Sequence, residues 1–185
     1  MSSQNVQLLF LGAVVALLAL FHWIRRFFWV FSVLVLPGTF AHECCHLLLG
    51  LALNGRPAGF NLLPRRAERG WEMGSATFSN LRWYNVFFVG MAPLLLLPAA
   101  YGLMRWRLGG HPALDWQEVL AVYLVANLVY AALPSWQDFR LAARSPIGWL
   151  LLAAGAAYAW HRHEAVSAPV SAPPAAAPAP HASSA

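Results

Sequence analysis

The 185-residue sequence contains no lysine, few charged residues of any kind and only two cysteines. All 12 cationic side chains are arginines, and acidic and basic residues together make up 10% of the chain. The cysteines are adjacent, Cys44 and Cys45, which excludes the disulfide framework of a small secreted domain. The arginines fall mostly in short segments between apolar runs, a placement that suits phospholipid headgroups better than nucleic acid. An ordinary soluble domain is also excluded, because 59% of the residues are apolar and the mean hydropathy is +0.54.

The apolar residues form five runs, each near the roughly 20 residues that a helix needs to cross a bilayer. The sequence therefore predicts an all-α polytopic membrane protein whose transmembrane domain covers residues 1–160. The predicted spans are residues 6–24, 28–53, 86–104, 116–133 and 141–160. The first run is expected to be retained, because no arginine precedes it and no small-residue cleavage site follows it. Residues 161–185 are rich in alanine, proline and serine, and are predicted to be a disordered tail.

The longest polar loop, residues 54–83, separates the second and third predicted spans. Its stretch WEMGSATFS contains alternating, β-permissive residues, which predicts a short β-hairpin-like element at the membrane surface. With five spans, this loop shares one face with residues 134–145, and that face carries seven arginines against five on the other. The positive-inside rule then places this face, and the N-terminus with it, in the cytoplasm. The absence of lysine fits a GC-rich bacterial genome, so the predicted location is the bacterial inner membrane.

The second predicted span contains His42, Glu43 and His46. Two histidines four residues apart lie one turn apart on the same side of a helix, where both imidazoles can bind one metal ion. The glutamate completes a His-Glu-x-x-His pattern, in which the carboxylate can take a proton from water and return it to a leaving amine. Residues 31–53 contain no other formally charged side chain, and an acid at that depth costs at least about 2.5 kcal/mol. The alternative is a glutamate–histidine hydrogen bond that only joins helices, and the cysteines are interpreted as buried packing residues.

A catalytic zinc ion usually has three protein ligands. The third must lie near the same membrane face as the histidines, which limits the candidates. The other histidines are assigned to the opposite face or to the tail, which leaves Glu68, Glu72 and Asp138. Asp138 is favoured, because Pro134 ends or bends the preceding helix and can direct the carboxylate back towards the histidines. The alternative role for Asp138 is an interfacial ion pair with a neighbouring arginine. Asn127, in the preceding span, is expected either to orient a ligand or substrate amide or to join two helices.

These features resemble the site-2 protease family of intramembrane zinc metalloproteases. The resemblance is carried by HECCH inside a span, the strand-prone loop, VGMAPLLLLP in the next span and a late element with Asn, Pro and Asp. It implies a zinc ion held by His42, His46 and Asp138, with Glu43 as the general base. The late element departs from the family in reading WQDF where the family has Leu-Asp-Gly.

The resemblance covers roughly residues 31–140 and also implies a substrate, a transmembrane protein that unwinds locally before cleavage. An unwound peptide can add as a strand to the WEMGSATFS segment. The expected substrate-binding residues are Asn127, Gly74, Ser75, Ala76 and Thr77. Two other functions use the same histidines: a membrane protein that binds or transports a metal ion, and an inactive scaffold of protease ancestry.

Overall fold

The structure, a computed structural model, is mostly helical with two small antiparallel sheets. It describes residues 3–62, 65–67, 70–109 and 115–167. The helices are α1 (Ser3–Ile24), α2 (Phe28–Leu34), α3 (Leu36–Ala52), α4 (Val86–Gly90), α5 (Leu96–Leu108), α6 (Trp116–Ala131), α7 (Trp136–Ala142) and α8 (Pro146–Ser167). A 3₁₀ helix, Ala92–Leu95, lies between α4 and α5. The strands are β1 (Pro57–Asn61), β2 (Arg65–Ala67), β3 (Gly70–Glu72) and β4 (Ser75–Phe78).

The chain divides into two units, Met1–Trp149 and Leu150–Ala185. The second unit contains the larger part of α8, whose described side chains there are all exposed. The helix continues to Ser167, past the predicted start of the tail, because the first proline of that segment is Pro169. Residues 168–185 of the predicted tail lie outside the described residues.

One helix, α1, is long and apolar enough to cross a membrane, over Gln4–Ile24. Two bent pairs meet the same requirement together: α2 with α3, bent by 66°, and α6 with α7, bent by 51°. The described residues therefore contain one candidate membrane span, or up to three if each bent pair is a single span. These candidates correspond to the first, second and fourth of the predicted spans.

The third and fifth predicted spans are divided differently in the structure. Residues 86–104 form α4, the 3₁₀ helix and part of α5, because Pro93 lacks the N–H group that a continuous helix needs there. Residues 141–160 begin inside α7 and continue in α8 after a turn at residues 143–145. Neither stretch is among the candidate spans of the described residues. At most three of the five predicted spans are thus supported.

Four helices, α1, α2, α5 and α6, share the main apolar core with Val35, the residue between α2 and α3. Its buried residues are Phe10, Val14, Phe21, Phe31, Val35, Ala100, Ala121, Val122, Val125 and Ala126. Helices α3 and α6 approach closely at Gly38, where an added Cβ would lie 2.7 Å from the carbonyl oxygen of Asn127. The Asn127 side chain accepts from the Gly38 N–H at 3.2 Å and donates to the Tyr123 carbonyl at 3.1 Å. This junction fixes α3 against α6.

The four strands form one arm between α3 and α4. β1 pairs antiparallel with β4, and β2 pairs antiparallel with β3 further along the arm. The prediction of a hairpin-like element in this loop is confirmed, and the element begins earlier than predicted, at Pro57. The arm is attached to α2 by Trp71, whose ring stacks on Phe28 with 4.7 Å between centroids. It is attached to α3 by Phe78, whose ring occupies the space that a side chain at Gly50 would fill.

Candidate metal centre

His42 and His46 project from consecutive turns of α3, with 3.2 Å between their Nε2 atoms. Nδ1 of His42 lies 2.7 Å from the carbonyl oxygen of Ala131, at the end of α6. Nδ1 of His46 lies 2.8 Å from the carbonyl oxygen of Val89, in α4. A carbonyl oxygen only accepts hydrogen bonds, so in each neutral ring Nδ1 carries the proton and Nε2 keeps its lone pair. Backbone groups thus hold both rings in the tautomer and orientation that a metal ion requires.

Asp138 brings a carboxylate to the same place from the first turn of α7. Its Oδ1 lies 3.2 Å from Nε2 of His46, and its Oδ2 lies 3.4 Å from Nε2 of His42. The local sequence explains this position, because α6 ends before Pro134 and Ser135 begins the next helix as its N-cap. The Ser135 N–H donates to Oδ2 at 2.6 Å, and the Asp138 N–H donates to the serine hydroxyl at 3.3 Å. This capping box fixes the carboxylate beside the histidines.

The donor atoms have the spacing of a metal site. A tetrahedral zinc ion with bonds of about 2.0–2.1 Å holds neighbouring donor atoms about 3.3 Å apart. The two Nε2 atoms lie 3.2 Å apart, and each lies 3.2 or 3.4 Å from one of the two oxygens of the Asp138 carboxylate. His42, His46 and Asp138 are therefore close enough together to bind one metal ion. Two imidazoles and a carboxylate suit several transition metals, so the donor set does not select one of them.

Two other carboxylates were candidates for the third position. All of Glu68 and the side chain of Glu72 lie outside the described part of the chain. Among the ion pairs of the described residues, those of Asp138 are with the two histidines.

Asn127, for which the sequence left two roles, is 1% exposed and joins α3 to α6. It is not among the residues that line the cavity at the metal centre.

Glu43 is buried next to the loop between β3 and β4. Its residue exposure is 7%. At Gly74 an added Cβ would lie 2.7 Å from Oε1 of Glu43 and 2.8 Å from its Cγ. A residue larger than glycine would therefore displace the carboxylate or the strand. Gly74, the first residue of the segment predicted to bind substrate, thus lies next to Glu43.

A cavity of about 1020 Å³ brings the predicted residues together. The metal-binding group and Glu43 line it, and so do the predicted substrate-binding residues Gly74, Ser75, Ala76 and Thr77. Trp71 and Met73 of the arm, with Tyr130 and Trp136, add apolar surface to its walls. Sequence reasoning did not single out these four residues, because aromatic and methionine side chains occur throughout the chain.

No known protein family, curated protein or solved structure matches this chain. The centre is therefore defined by its donor atoms, their spacing and the backbone groups that orient them. The carbonyls of Val89 and Ala131 were not predicted, because a backbone carbonyl carries no residue-type signal. The glycine in VGMAP, Gly90, was a visible signal, since a glycine in a helix often marks close packing.

Gly90 lets α4 pack directly against α7 beside the metal centre. An added Cβ would lie 2.7 Å from the Asp138 carbonyl oxygen and 3.0 Å from the Ala142 amide nitrogen. Because both are backbone atoms, Gly90→Ala must separate α4 from α7 and move the aspartate. We expect the free energy of unfolding to fall by about 1–3 kcal/mol and the metal affinity to fall roughly 10- to 100-fold. Thermal unfolding and zinc titration of the purified protein measure the two effects.

Gly102→Ala is the matched control for this substitution. No atom lies within 4 Å of the Cβ that it adds. Its metal affinity should equal that of the wild type, and alanine should be tolerated within α5. Equal zinc affinities for Gly90→Ala and Gly102→Ala would contradict the role assigned to the close approach of α4 and α7.

Proposed function

We propose that the protein is an intramembrane zinc metallopeptidase that resembles the site-2 proteases. The observation that carries the proposal is one cavity containing His42, His46, Asp138 and the buried carboxylate of Glu43. Hydrolysis of a peptide bond by this chemistry needs metal ligands, a proton acceptor and a space for the substrate chain. The apolar α1 and the two bent helix pairs support a multi-pass location, which we propose is the bacterial inner membrane.

Each side chain of the centre has a proposed role. A zinc ion held by His42, His46 and Asp138 would supply a Lewis acid that polarises the scissile carbonyl and acidifies water near neutral pH. Glu43 accepts a proton from the attacking water and passes it to the leaving amine as the carbon–nitrogen bond breaks. The backbone contacts at Nδ1 fix the tautomer of each neutral imidazole and prevent rotation of the rings.

Strand β4 is the proposed binding site for the substrate backbone. Among the described strands it pairs only with β1, so its second edge can accept an extended peptide by strand addition. Gly74 places the start of this edge beside Glu43, and Trp71 and Met73 provide apolar surface for a membrane segment. The substrate helix must unwind locally, because its peptide groups are otherwise engaged in their own hydrogen bonds.

Reconstituted protein tests the proposal. The substrate is a reporter whose transmembrane helix is destabilised by an internal proline. Wild-type protein with zinc should cut within that helix, a chelator should stop the reaction, and His46→Ala should be inactive. Bound zinc without cleavage would reject the peptidase in favour of a metal-binding or transport protein, or of an inactive scaffold.

Gly74→Ala is expected to slow cleavage strongly while zinc stays bound. The added Cβ overlaps Glu43, and misplacing a catalytic group by about 1 Å can cost roughly 10²-fold in rate. Initial rates and zinc content of the same preparation measure the two quantities. Gly12→Ala, whose added Cβ has no atom within 4 Å, is the control and should keep the wild-type rate. Equal rates for the two variants would show that cleavage does not require the space that Gly74 leaves for the Glu43 carboxylate.

A further inference from the structure

Helices α1 and α6 run in the same direction. The ring of Phe21, near the end of α1, packs against Tyr130, near the end of α6, with 5.7 Å between centroids. Phe10 and Val14, earlier in α1, are buried in the core that α6 shares. In an antiparallel pair, Phe10 would lie about 16 Å beyond Tyr130, past the last turn of α6. Because α1 packs along α6 and Phe10 is only 4% exposed, α1 must run towards the metal centre.

Helix α3 runs in the same direction as α6 as well. Gly38 bonds to Asn127, and His42, four residues later, bonds to Ala131, four residues later in α6. Helices α1 and α3 are therefore parallel. Two consecutive helices that each cross a membrane must be antiparallel. The α2–α3 pair consequently does not continue from α1 as an ordinary second crossing.

Helix α2 begins on the side of the metal centre. Its first residue, Phe28, stacks on Trp71 of the arm. Its last carbonyl, that of Leu34, accepts a hydrogen bond from the Tyr123 hydroxyl at 2.7 Å, about two turns of α6 away from the metal centre. The chain thus enters through α2, bends by 66°, and continues in α3 towards the metal centre.

Within the unit Met1–Trp149, the surface on the side of the metal centre carries exposed cationic and aromatic side chains. The exposed arginines include Arg25, Arg26, Arg56, Arg82, Arg140 and Arg144. The tryptophans there include Trp23, Trp29, Trp71, Trp83 and Trp136, all exposed. We call these residues the metal-side surface. Arg26 lies over the ring of Trp23 at 4.0 Å, a pairing that suits the boundary between headgroups and acyl chains.

The other end of the unit Met1–Trp149, at the junction of α5 and α6, has much less free positive charge. Among its described residues are Arg105 and Arg107, and Arg107 is paired with Asp115 at 3.4 Å and Glu118 at 3.3 Å. The two acids balance the two arginines there. The charge difference between the ends orients the protein, because anionic headgroups and the positive-inside rule both favour arginine on the cytoplasmic side.

We propose that the metal-side surface lies in the anionic headgroup layer of the cytoplasmic leaflet, with α2 as an interfacial helix and the start of α1 on the opposite side. This arrangement revises the five-span interpretation, which placed the N-terminus on the face of the metal centre and Phe28 on the other. It keeps the metal centre on the cytoplasmic side. It does not depend on catalysis, since it concerns only the direction of the chain.

Three single cysteines test the direction of the chain. In a background in which Cys44 and Cys45 are alanine, Gln4→Cys, Phe27→Cys and Ser79→Cys are introduced one at a time. Bacterial spheroplasts are treated with a membrane-impermeant maleimide, and permeabilised samples give the total reactive thiol. We expect the Gln4→Cys protein to be labelled in intact spheroplasts, and the other two proteins only after permeabilisation.

Two results would overturn the proposal. External labelling of Phe27→Cys with protection of Ser79→Cys would show that α2 begins on the opposite face, as five spans require. External labelling of both would place the metal-side surface away from the cytoplasm and contradict its assignment to that leaflet.

A charge variant tests the role of the arginines separately. Arg25→Gln combined with Arg26→Gln should reduce the externally labelled fraction of the Gln4→Cys protein, because some molecules then insert in the reverse direction. Arg105→Gln, at the other end, should not reduce it. Equal labelled fractions in both variants would overturn the proposed orientation by anionic lipid.

Discussion

Replacing Glu43 with glutamine is expected to lower the kcat of peptide cleavage about 10²- to 10⁴-fold, the usual contribution of general acid–base catalysis. The amide has nearly the size of the carboxylate and fits beside Gly74, but it cannot accept a proton from water near neutral pH. Zinc content should stay at the wild-type level, because the proposed ligands are His42, His46 and Asp138. Single-turnover cleavage and metal analysis of one preparation measure both quantities.

Glu118 provides the matched control, because it is a second glutamate with 7% exposure. It lies at the start of α6, 3.3 Å from Nη2 of Arg107, and is not among the residues that line the cavity. Glu118→Gln should weaken that ion pair and lower the stability while leaving kcat near the wild-type value. A wild-type rate for Glu43→Gln would remove Glu43 from the proposed mechanism.

The histidine pair could be predicted from the sequence because local geometry decides it. His42 and His46 are four residues apart in a segment that forms a helix, so helix geometry alone places both rings on the same side of α3. Tertiary structure supplies what the spacing does not specify, namely the carbonyls of Val89 and Ala131 that select the tautomer. Those contacts depend on the positions of α4 and α6, which no residue-type pattern encodes.

Asp138, the third residue of the metal-binding group, was predicted both from the membrane face assigned to each candidate and from the helix break at Pro134. Sidedness excluded His22 as a residue of the far face, yet the contact of Phe21 with Tyr130 brings the end of α1 level with the end of α6. His22 is exposed and is not part of the metal-binding group. The prediction from Pro134 agrees with the structure, because the break at this proline turns the chain and brings Asp138 beside the histidines.

The bend between α2 and α3 and the break after α4 were missed, although the prolines that explain them are visible in the sequence. Pro37 lies in the first turn of α3, where its missing N–H cannot continue the hydrogen bonds of α2. Pro93 has the same effect after α4. A count of apolar residues measures whether a segment is long enough to cross a membrane, but it contains no information on the direction in which the segment runs. The relative directions of α1 and α3 required tertiary contacts.

Asp138→Ala is expected to weaken zinc binding by at least about 100-fold, since it removes one of three ligands and outer-sphere partners alone contribute roughly 10- to 100-fold. The substitution also removes the acceptor of the Ser135 N–H, and loss of such a cap costs about 1 kcal/mol of unfolding free energy. Competition with a zinc chelator measures the affinity. Unfolding of the zinc-free protein measures the contribution of the cap.

Asp115→Ala separates the loss of a ligand from the loss of a cap. Asp115 caps α6, and its Oδ1 accepts from the N–H groups of Gln117 at 3.0 Å and Glu118 at 3.2 Å. Both alanine variants lose a helix cap, so both should be destabilised without metal, whereas only Asp138→Ala should lose zinc. Wild-type zinc affinity in Asp138→Ala would assign the third ligand to a carboxylate of the arm. His42 and His46, which α3 and the two backbone carbonyls hold in place, would then be the only proposed ligands that remain.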